Sequence, residues 1–250
     1  RRRGRGFLFV DERGVALADP DEVRRCQELA IPPAWRDVWI CPDPAGHLQA
    51  TGIDAAGRRQ YLYHAQWRAR RDRHKFAHVL QIAPHLARLR RRVATDLRGE
   101  ELSRERVLAL AVRLIDLGLF RVGNDQYAND DDPTFGVATL QSGHVRSTGH
   151  QTVRFCYRAK GGIERELSIR DAAVASVVRR LKRFRRGSTR LLAYRHADRG
   201  WREIHSSDIN AYLRRAAGAD LTAKDLRTWH ATVAAAVALA RVEPPGSPTA

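Results

Sequence analysis

The sequence predicts an α+β protein, in which a small N-terminal antiparallel β-sheet domain (residues 1–70) precedes a mainly α-helical domain (residues 71–250) with a small β-hairpin sheet. Two observations predict this order. Up to about residue 65, short apolar runs alternate with turn residues, which is typical of β-strands. From Gln66 the apolar residues recur instead at the helical period. The change falls in a very basic stretch, residues 66–84, which we expect to be the linker.

The first domain alternates predicted strands with turns. Proline, glycine and aspartate separate its apolar runs, and these residues interrupt regular structure most strongly. A short helix is predicted for DPDEVRRCQELA, and strands are predicted for FLFV, DVWICPDPAGHLQATG and RRQYLYH.

The second domain is predicted to contain a buried helix, SRERVLALAVRLIDLGLF, with Ser103 as its N-cap. Apolar residues occupy nearly all sides of this helix from Val107 to Phe120, which is typical of a helix inside a core. Two basic helices should precede it, on either side of a proline break: AQWRARRDRHKFAHVL and APHLARLRRRVATDL.

Strands and three further helices should follow the buried helix. TFGVATL is predicted to be a strand, and VRFCYRAKGGIERELSI to be a hairpin in which Gly161 and Gly162 form a two-residue turn. Helices are predicted for RDAAVASVVRRLKRFRR, for SSDINAYLRRAAG with a serine cap, and for TAKDLRTWHATVAAAVALAR. In the last helix, Thr222 and Asp225 have the spacing of a capping box. The tail, VEPPGSPTA, is predicted to be a linker.

Composition favours a partner that carries many negative charges. The formal net charge is +17, and a hydrophobic content of 43% excludes global disorder. Nucleic acid is the expected partner, although a basic ribosomal-type protein or the codon bias of a GC-rich genome would also give this composition. Three widely spaced cysteines indicate neither a disulfide framework nor a zinc knuckle. No membrane span or secretion signal is found, so a cytoplasmic location is expected.

Arginine holds nearly every basic position, since only four of the 45 basic residues are lysines: Lys75, Lys160, Lys182 and Lys224. Lys224 and Arg227 fall in or beside the first turn of the last helix, where free N–H groups and the helix dipole favour a phosphate. A lysine can lose its proton when its pKa is lowered, whereas an arginine cannot. The pair therefore predicts phosphate binding with proton transfer; the alternative is two solvated basic residues.

Other candidate residues have weaker signals. Lys160 precedes the Gly161–Gly162 turn, where a long amine can reach over a substrate or can simply be solvated. Arg121 is predicted to end the buried helix, where it either complements the helix dipole or is held rigidly at a phosphate. Tyr127, six residues later, would present a phenol to the same backbone. Lys75 and Lys182 are expected to be surface or phosphate-contacting residues.

The run RRQYLYH predicts a nucleic-acid contact. Tyr61 and Tyr63 lie on one face of the predicted strand, with Gln60 on the other face or at its edge. Glutamine can recognise adenine, although an ordinary half-buried sheet explains the tyrosines equally well. The acidic run NDDDPTFG would suit Mg²⁺ but is more often a turn, so no metal site is expected.

Five blocks in this order, GRRQYLYH, LGLFRVGNDQY, TFGVATL, FCYRAKGG and AKDLRTW, resemble the type IB DNA topoisomerases, in particular their small bacterial and poxvirus-like branch. The resemblance extends from about Ile31 to the end of the chain. It implies a monomeric two-domain clamp on duplex DNA at the bacterial nucleoid. A tyrosine would cut one strand through a 3′-phosphotyrosyl link, and the strand would be resealed without ATP, metal or another cofactor.

The resemblance also implies roles for individual residues. Arg121 and Arg227 match the arginines that hold the non-bridging phosphate oxygens, Lys160 matches the lysine that protonates the leaving 5′ oxygen, and Lys224 matches the lysine that assists it. Matches to DNA-contacting residues are Gln60, Tyr61 and Tyr63 in the first domain, and Tyr127 and Thr139 in the second.

The nucleophilic tyrosine of this family is expected beyond Ala250, because all six tyrosines of the chain precede Arg227. Methionine is absent, so we also expect the chain to be trimmed at its start. Two alternatives remain: a DNA-binding relative that does not cut, and a tyrosine recombinase. Recombinases usually have histidine at the place of Lys224 and lack this first domain.

Overall fold

The computed structural model describes residues 2–3 (backbone only), 6–184, 189–196 and 200–242. The predicted tail linker lies outside these residues except for Val242. The chain divides into two units, Arg1–Ala77 and His78–Ala250. The boundary falls inside a continuous helix, Ala65–Ile82, so most of the stretch predicted as a linker is helical.

Among the described residues, the first unit contains antiparallel strands, one short helix and the beginning of the helix Ala65–Ile82. Asp19 caps the short helix by accepting a hydrogen bond from the Asp21 amide. The FLFV run belongs to a strand only at its first residue, Phe7, since the strand Gly6–Phe7 pairs with Arg2–Arg3. The elements are β1 (Arg2–Arg3), β2 (Gly6–Phe7), α1 (Pro20–Glu28), β3 (Arg36–Ile40), β4 (Leu48–Ile53) and β5 (Arg59–Tyr63), and β3, β4 and β5 form one sheet in that order.

In its described part, the second unit is mainly helical and holds two small antiparallel sheets. The helix that crosses the boundary is α2 (Ala65–Ile82), and a 3₁₀ turn at Ala83–His85 separates it from α3. The following helices are α3 (Leu86–Asp96), α4 (Arg104–Gly118), α5 (Asp125–Ala128), α6 (Ala172–Phe184), α7 (Ser206–Ala217) and α8 (Ala223–Leu239). The strands are β6 (Val145–Ser147), β7 (Thr152–Ala159), β8 (Ile163–Arg170), β9 (Ala193–His196) and β10 (Gly200–Glu203).

Helix α4 forms the centre of the core, as its all-round apolar pattern predicted. Residues 107–112 are at most 1% exposed, and α3, α6, α7 and α8 all pack against this helix. Ser103 is the N-cap, and its hydroxyl accepts a hydrogen bond from the Arg106 amide. The central helix of the unit therefore ends three residues before Arg121.

The end of α4 differs from the prediction. The helix stops at Gly118, and Leu119 adopts a left-handed conformation with φ 53°. A Cβ at position 118 would lie 2.4 Å from the Phe120 ring, so the close turn requires glycine there. Arg121 therefore lies beyond the helix rather than in its last turn, and it is not the cation that complements the α4 dipole.

The sheet β6–β7–β8 contains the predicted hairpin, with a longer loop than expected. Ala159 pairs with Ile163, so Lys160, Gly161 and Gly162 form a three-residue loop. Both glycines have positive φ angles, 86° and 73°, as predicted. The strand predicted for TFGVATL is wrong, since Val137–Thr139 is a 3₁₀ turn whose amides bond to the Arg121 segment.

Two details of the C-terminal helices complete the fold. Thr222 and Asp225 form the predicted capping box of α8, with the Thr222 amide 3.0 Å from the Asp225 carboxylate. The predicted serine cap of α7 is wrong, because His205 is the N-cap and its amide donates to Asp208 at 3.0 Å. None of the helices in the described part of the chain combines the length and apolar composition that crossing a bilayer requires.

Candidate active site

The positive charges of three arginines in the second unit influence the pKa of one buried tyrosine, Tyr157. Burial raises the pKa of the Tyr157 hydroxyl, and the positive charges of Arg165, Arg121 and Arg227 offset only part of this effect. Tyr157 is 3% exposed and its ring stacks on Phe120 at 5.6 Å. The three guanidinium groups come from separate elements: the segment after α4, strand β8 and helix α8.

Arg227 lies one turn into α8 and is half-buried. Its Nε atom is buried and has no hydrogen-bond partner among the described residues. Burial, followed by the positive charges of Arg121 and Arg165, lowers the pKa of Arg227 below its usual value. Leaving a buried N–H group of a cation without a partner is costly, so this position favours an incoming anion.

Arg121 is held by its backbone rather than by its side chain. The Val137 amide donates to the Arg121 carbonyl at 2.9 Å, and the Ala138 amide donates to Val122 at 2.7 Å. The Arg121 side chain is exposed and forms no hydrogen bond or ion pair with the residues that the structure describes. A fixed backbone with an uncommitted guanidinium is suited to binding a phosphate.

Thr139, predicted to contact the DNA backbone, is buried at 1% exposure. Its hydroxyl accepts a hydrogen bond from the Gly136 amide at 2.9 Å and donates to the Gly136 carbonyl at 3.2 Å. Gly136 itself lies against Arg121, since a Cβ on Gly136 would lie 2.6 Å from the Arg121 carbonyl. By binding Gly136, Thr139 therefore supports the turn that holds Arg121. Tyr127 is half exposed, in the short helix α5. DNA contact by either residue stays a prediction.

The four lysines occupy different environments. Lys160 lies exposed in the hairpin loop, and Lys224 lies exposed in the first turn of α8. Within the described ranges, no hydrogen bond or ion pair joins either of them to the three arginines. Lys182 is instead structural, because its Nζ donates to the carbonyl groups of Ser142, at 3.0 Å, and Val145. The Lys75 Nζ lies 4.8 Å from the Phe76 ring centroid.

Sequence reasoning did not single out Arg165. Its guanidinium donates to the carbonyls of Gly118 and, at 3.2 Å, of Leu119, and lies 3.4 Å from the Tyr157 hydroxyl. The hairpin register pairs Tyr157 with Arg165. A two-residue loop would instead pair Tyr157 with Glu166, so the predicted loop length concealed this contact. A prediction with a three-residue loop would have placed Arg165 opposite Tyr157, and a basic residue opposite a tyrosine of the core would have drawn attention to this contact.

In the first unit, the predicted tyrosine pair is part of an aromatic row. Tyr61 and Tyr63 stack with ring centroids 6.3 Å apart, which confirms that they share a face, and Tyr63 stacks on Trp67 at 4.4 Å. The Arg71 guanidinium lies 5.3 Å from the Trp67 ring. Gln60 donates to Asp54 at 2.8 Å, so its amide is engaged within the β4–β5 turn. Stacked aromatic rings with adjacent cations are suited to nucleic acid.

Three matches connect this arrangement to known proteins. Residues 64–249 match the family described as eukaryotic DNA topoisomerase I, catalytic core. Residues 6–54 match the bacterial DNA topoisomerase IB N-terminal domain. The chain is also 28% identical over 232 residues to DNA topoisomerase 1B of Acanthamoeba polyphaga mimivirus, covering 91% of this chain and 67% of that protein. The chain therefore belongs to the type IB DNA topoisomerases, of the small bacterial and viral kind.

Proposed function

We propose that the protein relaxes supercoiled duplex DNA by cutting and resealing one strand at the site of Arg121 and Arg227. The observation that carries this proposal is that the guanidinium groups of Arg121 and Arg227 repel each other. No carboxylate of the described residues forms an ion pair with either. A phosphate between them would convert this repulsion into attraction. Arg121 and Arg227 would then bind its non-bridging oxygens and stabilise the charge that grows in the transition state.

The chemical step needs a nucleophile and a proton donor. A tyrosine hydroxyl loses its proton to water as its oxygen bonds to phosphorus, and the bond from phosphorus to the 5′ oxygen breaks. Lys160 donates a proton to that leaving oxygen with the assistance of Lys224, and Lys160 then regains a proton from water. Because the energy of the phosphodiester is kept in the 3′-phosphotyrosyl link, the reverse reaction needs neither ATP nor a metal ion.

DNA contacts outside the reacting phosphate would come from both units. Gln60, Tyr61 and Tyr63 would contact DNA from the first unit, and Tyr127 and Thr139 would contact or support it from the second. The net charge of +17 supports binding to the phosphate backbone. We further propose that the protein acts as a monomeric clamp in the bacterial cytoplasm, at the nucleoid.

Plasmid relaxation tests the proposal. The intact gene product should relax supercoiled plasmid in the presence of EDTA and without ATP. Arg121→Ala and Arg227→Ala should each slow single-turnover cleavage by about 10²- to 10³-fold, as expected for the loss of one fixed donor. Duplex affinity should change far less, since a phosphate backbone offers many other contacts.

Arg154→Ala is the matched control, because Arg154 is an exposed arginine of β7 that pairs with Glu166. Its cleavage rate should equal that of the unmodified protein. Tight duplex binding without any cleavage by the intact gene product would contradict the proposal and would favour a DNA-binding relative that does not cut.

A further inference from the structure

Arg165 supplies the cation that α4 lacks at its C-terminal end. The last carbonyl groups of a helix have no partner within the helix and carry partial negative charge. The last turn of α4 contains no basic residue. Arg165, on the neighbouring strand β8, donates instead to the carbonyls of Gly118 and Leu119. The contact therefore joins the β7–β8 hairpin to the end of the central helix.

The same side chain contacts every part of the segment that leads to Arg121. Its guanidinium lies 5.2 Å from the ring of Phe120, which is fully buried and stacks on Tyr157. Leu119 is left-handed, a conformation that costs a non-glycine residue about 1–3 kcal/mol and persists only where its surroundings fix it. The hydrogen bond at 3.2 Å from Arg165 to the Leu119 carbonyl is one such restraint.

Capping the end of α4 explains a cation at this position, and the same charge also acts on the candidate site through Arg227. No carboxylate within the described ranges forms an ion pair with Arg165, although its charge acts on Arg227 and lowers the pKa of that guanidinium. This repulsion is unfavourable in the free protein and is relieved when an anion binds beside the arginines. The position is therefore suited to a group that orders the site for a phosphate.

We propose that Arg165 is a positioning residue for DNA cleavage, which holds the segment from Gly118 to Arg121 so that the Arg121 guanidinium reaches the scissile phosphate. The proposal rests on the phosphate-binding role of Arg121. Arg165 acts through the backbone of that segment, and its hairpin also carries Lys160 in the loop. One contact thus sets the position of Arg121 relative to the hairpin.

A double-mutant cycle on the intact gene product tests this inference. Single-turnover cleavage and duplex affinity would be measured for Arg121→Ala, Arg165→Ala and the double variant. Displacing a catalytic group by about 1 Å can cost about 10²-fold, so we expect Arg165→Ala to be about 10- to 100-fold slower, with affinity within about threefold. If Arg165 acts through Arg121, the double variant should be no slower than Arg121→Ala alone.

The outcomes separate this inference from the proposed function. If Arg121→Ala cleaves at the normal rate, the proposed function fails first. If Arg121→Ala is slow but the effects of the two single variants multiply in the double variant, Arg165 acts independently and the inference is wrong. Arg154→Ala, from the same hairpin, controls for the loss of an arginine near the site.

Two conservative variants keep the test valid if Arg165→Ala does not fold. Arg165→Lys keeps the charge, but a single ammonium group cannot replace the planar guanidinium that contacts Gly118, Leu119 and Tyr157 together. Its cleavage rate should therefore lie between those of Arg165→Ala and the unmodified protein. Tyr157→Phe removes only the hydroxyl 3.4 Å from Arg165 and should slow cleavage by less than about tenfold. A normal rate for Arg165→Lys, with a normal melting temperature, would overturn the inference.

Discussion

His230 Nε2 lies 2.8 Å from Asp116 Oδ1, so helix α8 is joined to helix α4 three residues after Arg227. Arg90 of α3 completes the contact with two hydrogen bonds of 3.0 Å to the same carboxylate. Asp116 is 8% exposed and precedes Arg121 by five residues. A buried carboxylate therefore fixes the helix that carries Arg227 against the helix that leads to Arg121.

Asp116→Asn should destabilise the protein and change its acid sensitivity. Burial raises the pKa of Asp116, but the hydrogen bonds from Arg90 and His230 outweigh it and leave the pKa below its usual value. The ionised carboxylate therefore adds stability above the unfolded-state value of about 3.9, and this is lost as the pH falls through the folded-state pKa. We expect Asp116→Asn to cost about 1–3 kcal/mol near neutral pH.

Urea unfolding between about pH 3 and pH 7 measures this effect. The difference in unfolding free energy between the two proteins should be constant above about pH 5 and should shrink below about pH 4. Glu166→Gln, which breaks an exposed ion pair with Arg154, is the control and should cost less than about 1 kcal/mol. A difference that stayed constant down to about pH 3 would show that the Asp116 pKa is not depressed.

Gly136→Ala should impair cleavage through the Arg121 backbone. A Cβ on Gly136 would lie 2.4 Å from the Gly123 nitrogen and 2.6 Å from the Arg121 carbonyl, and backbone atoms cannot move aside easily. We expect a loss of about 1–3 kcal/mol of stability and about 10²-fold in cleavage rate. Gly143→Ala is the control, since its Cβ would meet nothing within 4 Å. Equal melting temperatures and rates for the two variants would contradict this account of the turn.

In the intact gene product, Lys160→Ala should slow cleavage of a normal phosphodiester by about 10²- to 10⁴-fold while leaving DNA affinity nearly unchanged, because a general acid acts only in the transition state. A 5′-bridging phosphorothiolate has a leaving group that needs no protonation. The same variant should therefore cleave that substrate at close to the unmodified rate, as measured in single-turnover reactions.

Arg227→Ala provides the matched comparison for this substrate. Its proposed contact is with non-bridging oxygens, which the sulfur leaves unchanged, so no rescue is expected. If Lys160→Ala remains slow on the sulfur substrate, Lys160 is not the general acid, and Lys224→Ala becomes the next variant to measure.

DNA affinity should fall steeply with salt. The chain carries a formal net charge of +17, and each neutralised phosphate releases counterions on binding. For about six to ten phosphate contacts, the binding constant should drop by about 10³- to 10⁵-fold between about 50 and 200 mM salt, as measured by fluorescence anisotropy. An unchanged constant over this range would exclude a binding mode dominated by phosphate contacts.

The sequence predicted those parts of the site whose positions depend on local interactions. The capping box of Thr222 and Asp225 fixes where α8 begins, and the apolar pattern of α4 identifies it as the central helix. Each of these patterns is formed by residues that are close to one another in the sequence. They were therefore sufficient to place Arg227 near a helix start, whereas Arg121, predicted to end α4, lies beyond that helix.

Contacts between distant segments could not be predicted in the same way. TFGVATL has strand-like composition, but its amides bond to the Arg121 segment, and Gly136 fits there only as a turn. The position of Arg165 depends on a single residue in the hairpin loop, since one residue changes the partner of every side chain on the strand. Lys182, expected at the surface, contacts carbonyl groups about 40 residues away in the sequence.

The scarcity of lysine makes the site chemically addressable. Within these 250 residues, amine acylation can modify only four side chains, and these differ in accessibility: Lys182 Nζ is engaged by two carbonyl groups, whereas Lys75, Lys160 and Lys224 are exposed. Mass spectrometry of the acylated protein should therefore show that Lys182 is acylated most slowly of the four, so its acylation can serve as an internal reference for the other three. Bound duplex should shield Lys160 and Lys224, so two peptides would report occupancy of the site without any label on the DNA.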